Sequence, residues 1–101
     1  MIEMAKGWFA DEGFSGDWEM HHQGGAIGYS EREWIALPGS KQTILDSQAF
    51  AWNPIVVGTL SFDTILVYRD HIENLTRTND WPARTISING KNYEMPDILI
   101  R

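Results

Sequence analysis

The segment from His21 to Glu33 carries the densest set of side chains that could do chemistry in this chain. Its order is His-His-Gln-Gly-Gly-Ala-Ile-Gly-Tyr-Ser-Glu-Arg-Glu. Histidine is the side chain that most readily takes up and releases a proton near neutral pH, so His21 and His22 are candidate catalytic residues, with Glu33 as a third. Arg32 and Glu33 are expected either to form an ion pair or to bind a carboxylate.

The glycines within this segment are expected to fix its backbone. A Gly24–Gly25 turn would present the flanking histidines, because glycine takes positive φ and lets another chain approach closely. The competing interpretation is structural. In that case His21 and His22 are a hydrogen-bonded pair, and Arg32 and Glu33 are a surface pair worth under ~1 kcal/mol.

The composition excludes several classes of function. The 101 residues carry a net charge of −6 with no Lys/Arg cluster, which argues against nucleic-acid and anionic-membrane partners. There is no cysteine, hence no disulfide, thiolate metal site or cysteine nucleophile. No apolar run approaches the ~18 residues that a membrane span needs. We expect one domain over residues 1–101, located in the cytoplasm.

The elements that must position these residues are mostly strands. Residues 2–10 show helical spacing, and a helical turn is expected near 40–46. Runs rich in β-branched and aromatic residues predict strands. These lie at 47–52, at 59–68 after a bend at Gly58, at 72–76, and at 85–88 and 91–95 around an Asn89-Gly90 turn. Apolar residues of the tail 95–101 are expected to dock, and the core to contain Trp18, Met20, Trp34, Trp52 and Trp81. The predicted fold is α+β, mostly an antiparallel sheet behind a short N-terminal helix.

Three blocks of this chain resemble, in order, the C-terminal part of the M24 peptidases. The blocks are 21–29 with Arg32-Glu33, then 50–54, and then Gly58-Thr59 with 63–67. The family contains the "pita-bread" metallopeptidases, among them Xaa-Pro dipeptidase, aminopeptidase P, methionine aminopeptidase and the creatinase relatives. The resemblance covers nearly all of this chain and well under half of a full-length member. It implies one half of the pita-bread fold, with a curved antiparallel sheet.

We do not expect this chain to share the metal chemistry of that family. Active members hold two divalent metals, such as Mn or Co, with two Asp, one His and two Glu. By resemblance, Gly25 stands at the histidine position, while Asn53 and Phe62 stand at the two glutamate positions. Arg32 replaces a further active-site histidine, and the segment carrying the two Asp has no counterpart here. Glycine and phenylalanine offer no side-chain ligand, and a neutral amide replaces a carboxylate poorly on a hard cation. We therefore expect no metal ligands and no cofactor.

The resemblance also indicates which residues remain for binding. His21 stands where proline-specific members carry a histidine close to the substrate. The candidate ligand-binding residues are His21, His22, Arg32, Glu33 and Asn53. The creatinase relatives imply that this fold can work without metal, with a histidine as the proton carrier.

Three hypotheses follow. The first is a catalytically silent, peptidase-like domain. The second is a metal-free hydrolase or a peptide- or small-molecule-binding domain that uses His21 or His22 with Glu33. The third is a structural half-domain that assembles. A lone half would expose a sheet edge and an apolar face, so we expect a homodimer or pairing with a separate N-terminal half.

Overall fold

The computed structural model describes residues 2–100. Helix α1 (Ile2–Asp11) is followed by a 3-10 helix (Asp17–Glu19) and by strands only. The strands are β1 (Gly24–Ile27), β2 (Trp34–Ile35), β3 (Gln48–Trp52), β4 (Ile55–Val56), β5 (Thr59–Leu60), β6 (Asp63–Val67), β7 (Ile72–Asn74), β8 (Ala83–Ile88) and β9 (Lys91–Pro96). No helix within residues 2–100 has the length and apolar character needed to cross a membrane.

The strands form one five-stranded sheet in the order β2-β1-β3-β6-β7 and two hairpins, β4-β5 and β8-β9. Every pairing is antiparallel. The chain therefore has the predicted α+β composition, with one N-terminal helix and mostly antiparallel strands.

The register of the main sheet places its aromatic residues on one face. Phe50 in β3 lies opposite Ala26 in β1 and Ile65 in β6, and Ala26 lies opposite Trp34 in β2. Directly opposed residues share a face, and residues two apart along a strand do too. Trp52 therefore joins this face, where the ring of Phe50 contacts those of Trp34 and Trp52 at centroid distances of 5.5 and 6.1 Å.

Helix α1 lies over this face but covers only part of it. Its Ile2 and Phe9 are buried, and with Trp52 and Ile65 they line one groove. The helix ends at Asp11, and beyond it Gly13 takes φ +86° and the Phe14 N–H donates to the Phe9 carbonyl. The buried apolar residues of the described chain are few: Ile2, Phe9, Ala26, Ala36, Phe50 and Ala51.

The β8-β9 hairpin has the predicted turn. Asn89 and Gly90 both take positive φ, at 51° and 76°, which is the backbone of a two-residue hairpin turn. The hairpin is tied to the rest of the chain by the Arg77–Glu94 ion pair and by Lys91, whose Nζ donates to the Asp70 carbonyl at 3.3 Å.

Three local predictions are wrong. Gly24 and Gly25 form no turn but lie in β1, paired with β3 on one side and β2 on the other. Residues 40–45 hold no helical turn and lead into a turn at 46–47. The strand expected over 59–68 is broken, because Thr59–Leu60 folds back on Ile55–Val56 and β6 begins only at Asp63.

Some residues predicted to be buried are exposed. Met20 is 72% exposed and Trp81 is 48% exposed, while Trp18, Trp34 and Trp52 are half-buried. The tail does not dock tightly, since Ile98 and Ile100 are 78% and 89% exposed. Arg101 lies outside the described residues.

Candidate functional site

The structure brings together His21, His22 and Arg32, which we call the histidine cluster. The two imidazole rings stack with their centroids 4.3 Å apart and their planes 24° apart. The Nη2 of Arg32 lies 3.5 Å from Nε2 of His22. A hydrogen bond also fixes the His21 ring, because its Nδ1 donates to the His22 carbonyl at 2.6 Å.

Gln23 holds the backbone of the histidine cluster in place. Its side chain is buried, and its Nε2 donates to the carbonyls of Trp18 and His21, at 2.9 and 2.6 Å. The Gln23 carbonyl in turn accepts the Asn53 N–H at 2.8 Å, just beyond the end of β3. The cluster is therefore anchored where β1 enters the main sheet.

His22 is poised to remain neutral. Burial lowers its pKa below 6.5, and the neighbouring His21 and Arg32 lower the pKa further, while Glu31 opposes them. A neutral His22 can accept an Arg32 N–H on Nε2, which requires the proton to sit on Nδ1. The pair then acts as a hydrogen-bonded unit in which Arg32 supplies the positive charge.

Two of the predicted site residues do not join the histidine cluster. Glu33 turns toward the β1-β2 connection, where its Oε1 accepts the Ser30 N–H at 3.0 Å. The expected Arg32–Glu33 ion pair is absent from the described structure, because Arg32 uses Nη1 to donate to the Glu31 carbonyl at 3.0 Å. Asn53 is connected through its backbone alone, and its buried Oδ1 has no hydrogen-bond partner within residues 2–100.

The residues present do not fit the dinuclear metal centre of the M24 peptidases. Gly25, which the resemblance places at the histidine position, offers no ligand, and the backbones of Trp34 and Ile35 leave no room for a side chain there. Phe62, which the resemblance places at one glutamate position, has no donor atom. Within residues 2–100, no group of three His, Cys, Asp or Glu side chains is arranged to hold a metal ion.

The histidine cluster is better suited to binding an anion than to nucleophilic catalysis. The Arg32 Nε is buried and donates to none of residues 2–100. In the same range, neither ring of the cluster hydrogen-bonds to a hydroxyl that could serve as a nucleophile. The Arg32 guanidinium beside the two imidazoles offers N–H donors of the kind that suit a carboxylate.

Sequence reasoning missed a second polar cluster, formed by Asp63, Asn74 and Thr76. Asp63 is buried, and its Oδ1 accepts hydrogen bonds from Asn74 Nδ2 and Thr76 Oγ1 at 3.1 and 3.0 Å. A carboxylate at the start of an apolar strand was the available signal, since such a residue needs partners when it is buried.

Comparison with known proteins gives no assignment: no family model, no curated protein and no solved structure matches this chain.

Proposed function

We propose that this chain is a peptidase-like domain without peptidase activity, which acts as an assembly and ligand-binding module and pairs with a second copy of itself. The observation that carries the proposal is its exposed surface. The chain exposes 7680 Å² at a mass of 11.5 kDa. A folded monomer of this mass exposes about 5,800 Å².

The excess of about 1,900 Å² is of the size that one subunit buries in an obligate dimer. The radius of gyration points the same way, since its value of 14.2 Å exceeds the ~12.7 Å of a self-contained domain of this length. Both quantities indicate a chain that has surface left to bury.

The apolar groove is the main candidate for the pairing surface. We use this name for the groove of about 610 Å³ between α1 and the main sheet, lined chiefly by Trp8, Phe14, Trp52, Pro54, Ile65 and Ile88. Trp8 is 61% exposed and Phe14 is 41% exposed. Exposed aromatic residues around an apolar groove are typical of a protein interface.

A second copy is the occupant that these features favour. In a two-fold dimer each groove receives the projecting aromatic residues of the other chain, so one surface supplies both halves of the contact. Glu12 is the charged residue among those lining the groove, so the contact brings few like charges together. The net charge of −6 repels at long range, but salt at physiological strength screens that repulsion beyond about 8 Å.

The absence of peptidase activity rests on the donor chemistry of the site. With glycine and phenylalanine at two ligand positions, Mn²⁺ or Co²⁺ should give no cleavage of Xaa-Pro peptides by the pure chain. Measurable metal-dependent cleavage would overturn this part of the proposal.

The Arg32 guanidinium beside the stacked rings of His21 and His22 favours a second candidate function, the binding of a small carboxylate at the histidine cluster. Alanine at both His21 and His22 should weaken such binding. Unchanged ligand binding in that double variant would remove this candidate.

The pairing is tested by thermal unfolding over a hundredfold range of protein concentration. A dimer that gains its stability from association unfolds at a higher temperature when it is concentrated, because mass action favours the paired state. We expect the Tm to rise by several degrees across the range. A Tm that does not change with concentration would contradict the proposal.

A further inference from the structure

Asp63 is a buried carboxylate with an unfilled bonding position. Its side chain is 7% exposed, and it forms part of the wall of a cavity of about 320 Å³. Its Oδ2 is shielded from solvent and hydrogen-bonds to none of residues 2–100. Burying a carboxylate oxygen without a partner is costly, so this atom marks a place where a donor belongs.

The carboxylate is held firmly in its orientation. Asn74 Nδ2 and Thr76 Oγ1 both donate to Oδ1. Thr76 Oγ1 also accepts the Thr64 N–H at 3.1 Å, and Asn74 Oδ1 accepts the Thr76 N–H at 2.9 Å. Neutral donors therefore satisfy one oxygen of Asp63, and the network leaves the other oxygen and the negative charge unmatched.

The cation that lines the same cavity is already paired. Arg77 forms an ion pair with Glu94, which also lines the cavity. The three charged residues of the lining, Asp63, Arg77 and Glu94, thus leave one negative charge uncompensated. A bound cation would neutralise it.

Apart from three threonine and asparagine residues, the rest of the wall is apolar, with Phe62, Trp81, Pro82, Met95 and Pro96 among its residues. The Trp81 ring is fixed at one end, because its Nε1 donates to the Asp97 carbonyl at 2.9 Å. Phe62 and Trp81 remain 52% and 48% exposed. The cavity therefore places the Asp63 carboxylate beside exposed aromatic surface, and its volume suits a small molecule.

We propose that this cavity binds a small primary ammonium compound with an apolar or aromatic body. The ammonium donates to Asp63, and the body packs against Phe62 and Trp81, while a local movement of the cavity wall exposes the buried Oδ2 to the ammonium. An ammonium suits the site because it brings both charge and N–H donors. The inference is independent of the proposed pairing, since the residues lining this cavity and those lining the apolar groove do not overlap.

The test uses phenethylamine as the probe and phenethyl alcohol as its neutral counterpart. Binding of each to the full chain is measured by calorimetry at neutral pH, where the amine is protonated. Asp63→Asn removes the charge and keeps an oxygen for Asn74 and Thr76. Asp80→Asn is the matched control, because it makes the same change of charge at an exposed residue of the neighbouring loop.

We expect the amine to bind at least about tenfold more tightly than the alcohol, as a charge-assisted hydrogen bond implies. Asp63→Asn should abolish this preference, and Asp80→Asn should retain it. Equal binding of amine and alcohol to the unmodified chain would overturn the proposal, and so would a preference that survives in a folded Asp63→Asn variant. If Asp63→Asn does not fold, the comparison of the two probes on the unmodified chain decides the matter.

Discussion

Gly25 lies so close to the backbone of Trp34 that a Cβ atom on Gly25 would overlap the Trp34 carbonyl oxygen and lie 2.9 Å from the Ile35 Cα. Gly25 is at the same time the position at which the M24 resemblance expects a metal-ligating histidine. The close approach of β1 and β2 therefore excludes any side chain at this position. A histidine at this position would disrupt the sheet.

The first prediction concerns Gly25→Ala. We expect it to lower the free energy of unfolding by at least about 2 kcal/mol, because backbone atoms cannot move aside as a flexible side chain can. Urea unfolding measures the loss. Gly7→Ala is the control: nothing lies within 4 Å of a Cβ on Gly7 in α1, so that change should stabilise the chain by about 0.5–1 kcal/mol. Equal stability of the two variants would contradict the described packing of β1 against β2.

The second prediction concerns the hydroxyl of Thr76. Thr76→Val removes one donor from Asp63 Oδ1 and leaves the Thr64 N–H without its acceptor. We expect a loss of about 1–3 kcal/mol in the free energy of unfolding. Thr78→Val, at an exposed residue two positions on, should change it by less than about 0.5 kcal/mol. Similar effects for the two changes would show that the network around Asp63 does not form.

The third prediction concerns pH and His22. Because burial and the neighbours of His22 lower its pKa in the folded chain, the unfolded chain binds more protons between that pKa and 6.5. The free energy of unfolding should therefore fall as the pH drops below 6.5. His22→Gln removes this contribution. In urea unfolding at about pH 7.5 and about pH 5, the unmodified chain should lose more stability than the variant. An equal or larger loss in His22→Gln would contradict the description of the cluster.

The fourth prediction concerns the apolar groove. Trp8→Glu places a charge on its rim and should convert the proposed dimer to a monomer, since an unpaired charge cannot be buried there without a large penalty. Leu45→Glu is the matched control, because Leu45 is also 61% exposed but does not line the groove. Sedimentation velocity distinguishes the two variants. A dimer that survives in Trp8→Glu would place the interface elsewhere.

Local signals were enough to predict several elements. The helical spacing of residues 2–10 correctly predicted α1, and the Asn89-Gly90 pair correctly predicted the turn of the β8-β9 hairpin. Both elements depend on residues that are close in sequence. The role of Gly24 and Gly25 depends on strands that arrive later in the chain. The two glycines allow the backbones of neighbouring strands to approach closely within the sheet. The residues next to them in sequence favoured a turn instead.

The same distinction applies to the candidate site. The sequence singled out His21, His22 and Arg32, and the structure brings them together. Of the two roles expected for Arg32, the ion pair with Glu33 does not form within residues 2–100, because Glu33 turns toward Ser30. The Asp63 network was not predicted, since Asn74 and Thr76 reach Asp63 only through the pairing of β6 with β7.

The mass of the chain in solution tests the central claim most directly. Light scattering on a size-exclusion column, without and with added manganese, should give twice the 11.5 kDa of one chain in both cases. A monomer at high concentration would contradict the proposed assembly. A mass that changes when manganese is added would contradict the conclusion that these residues do not fit a metal centre.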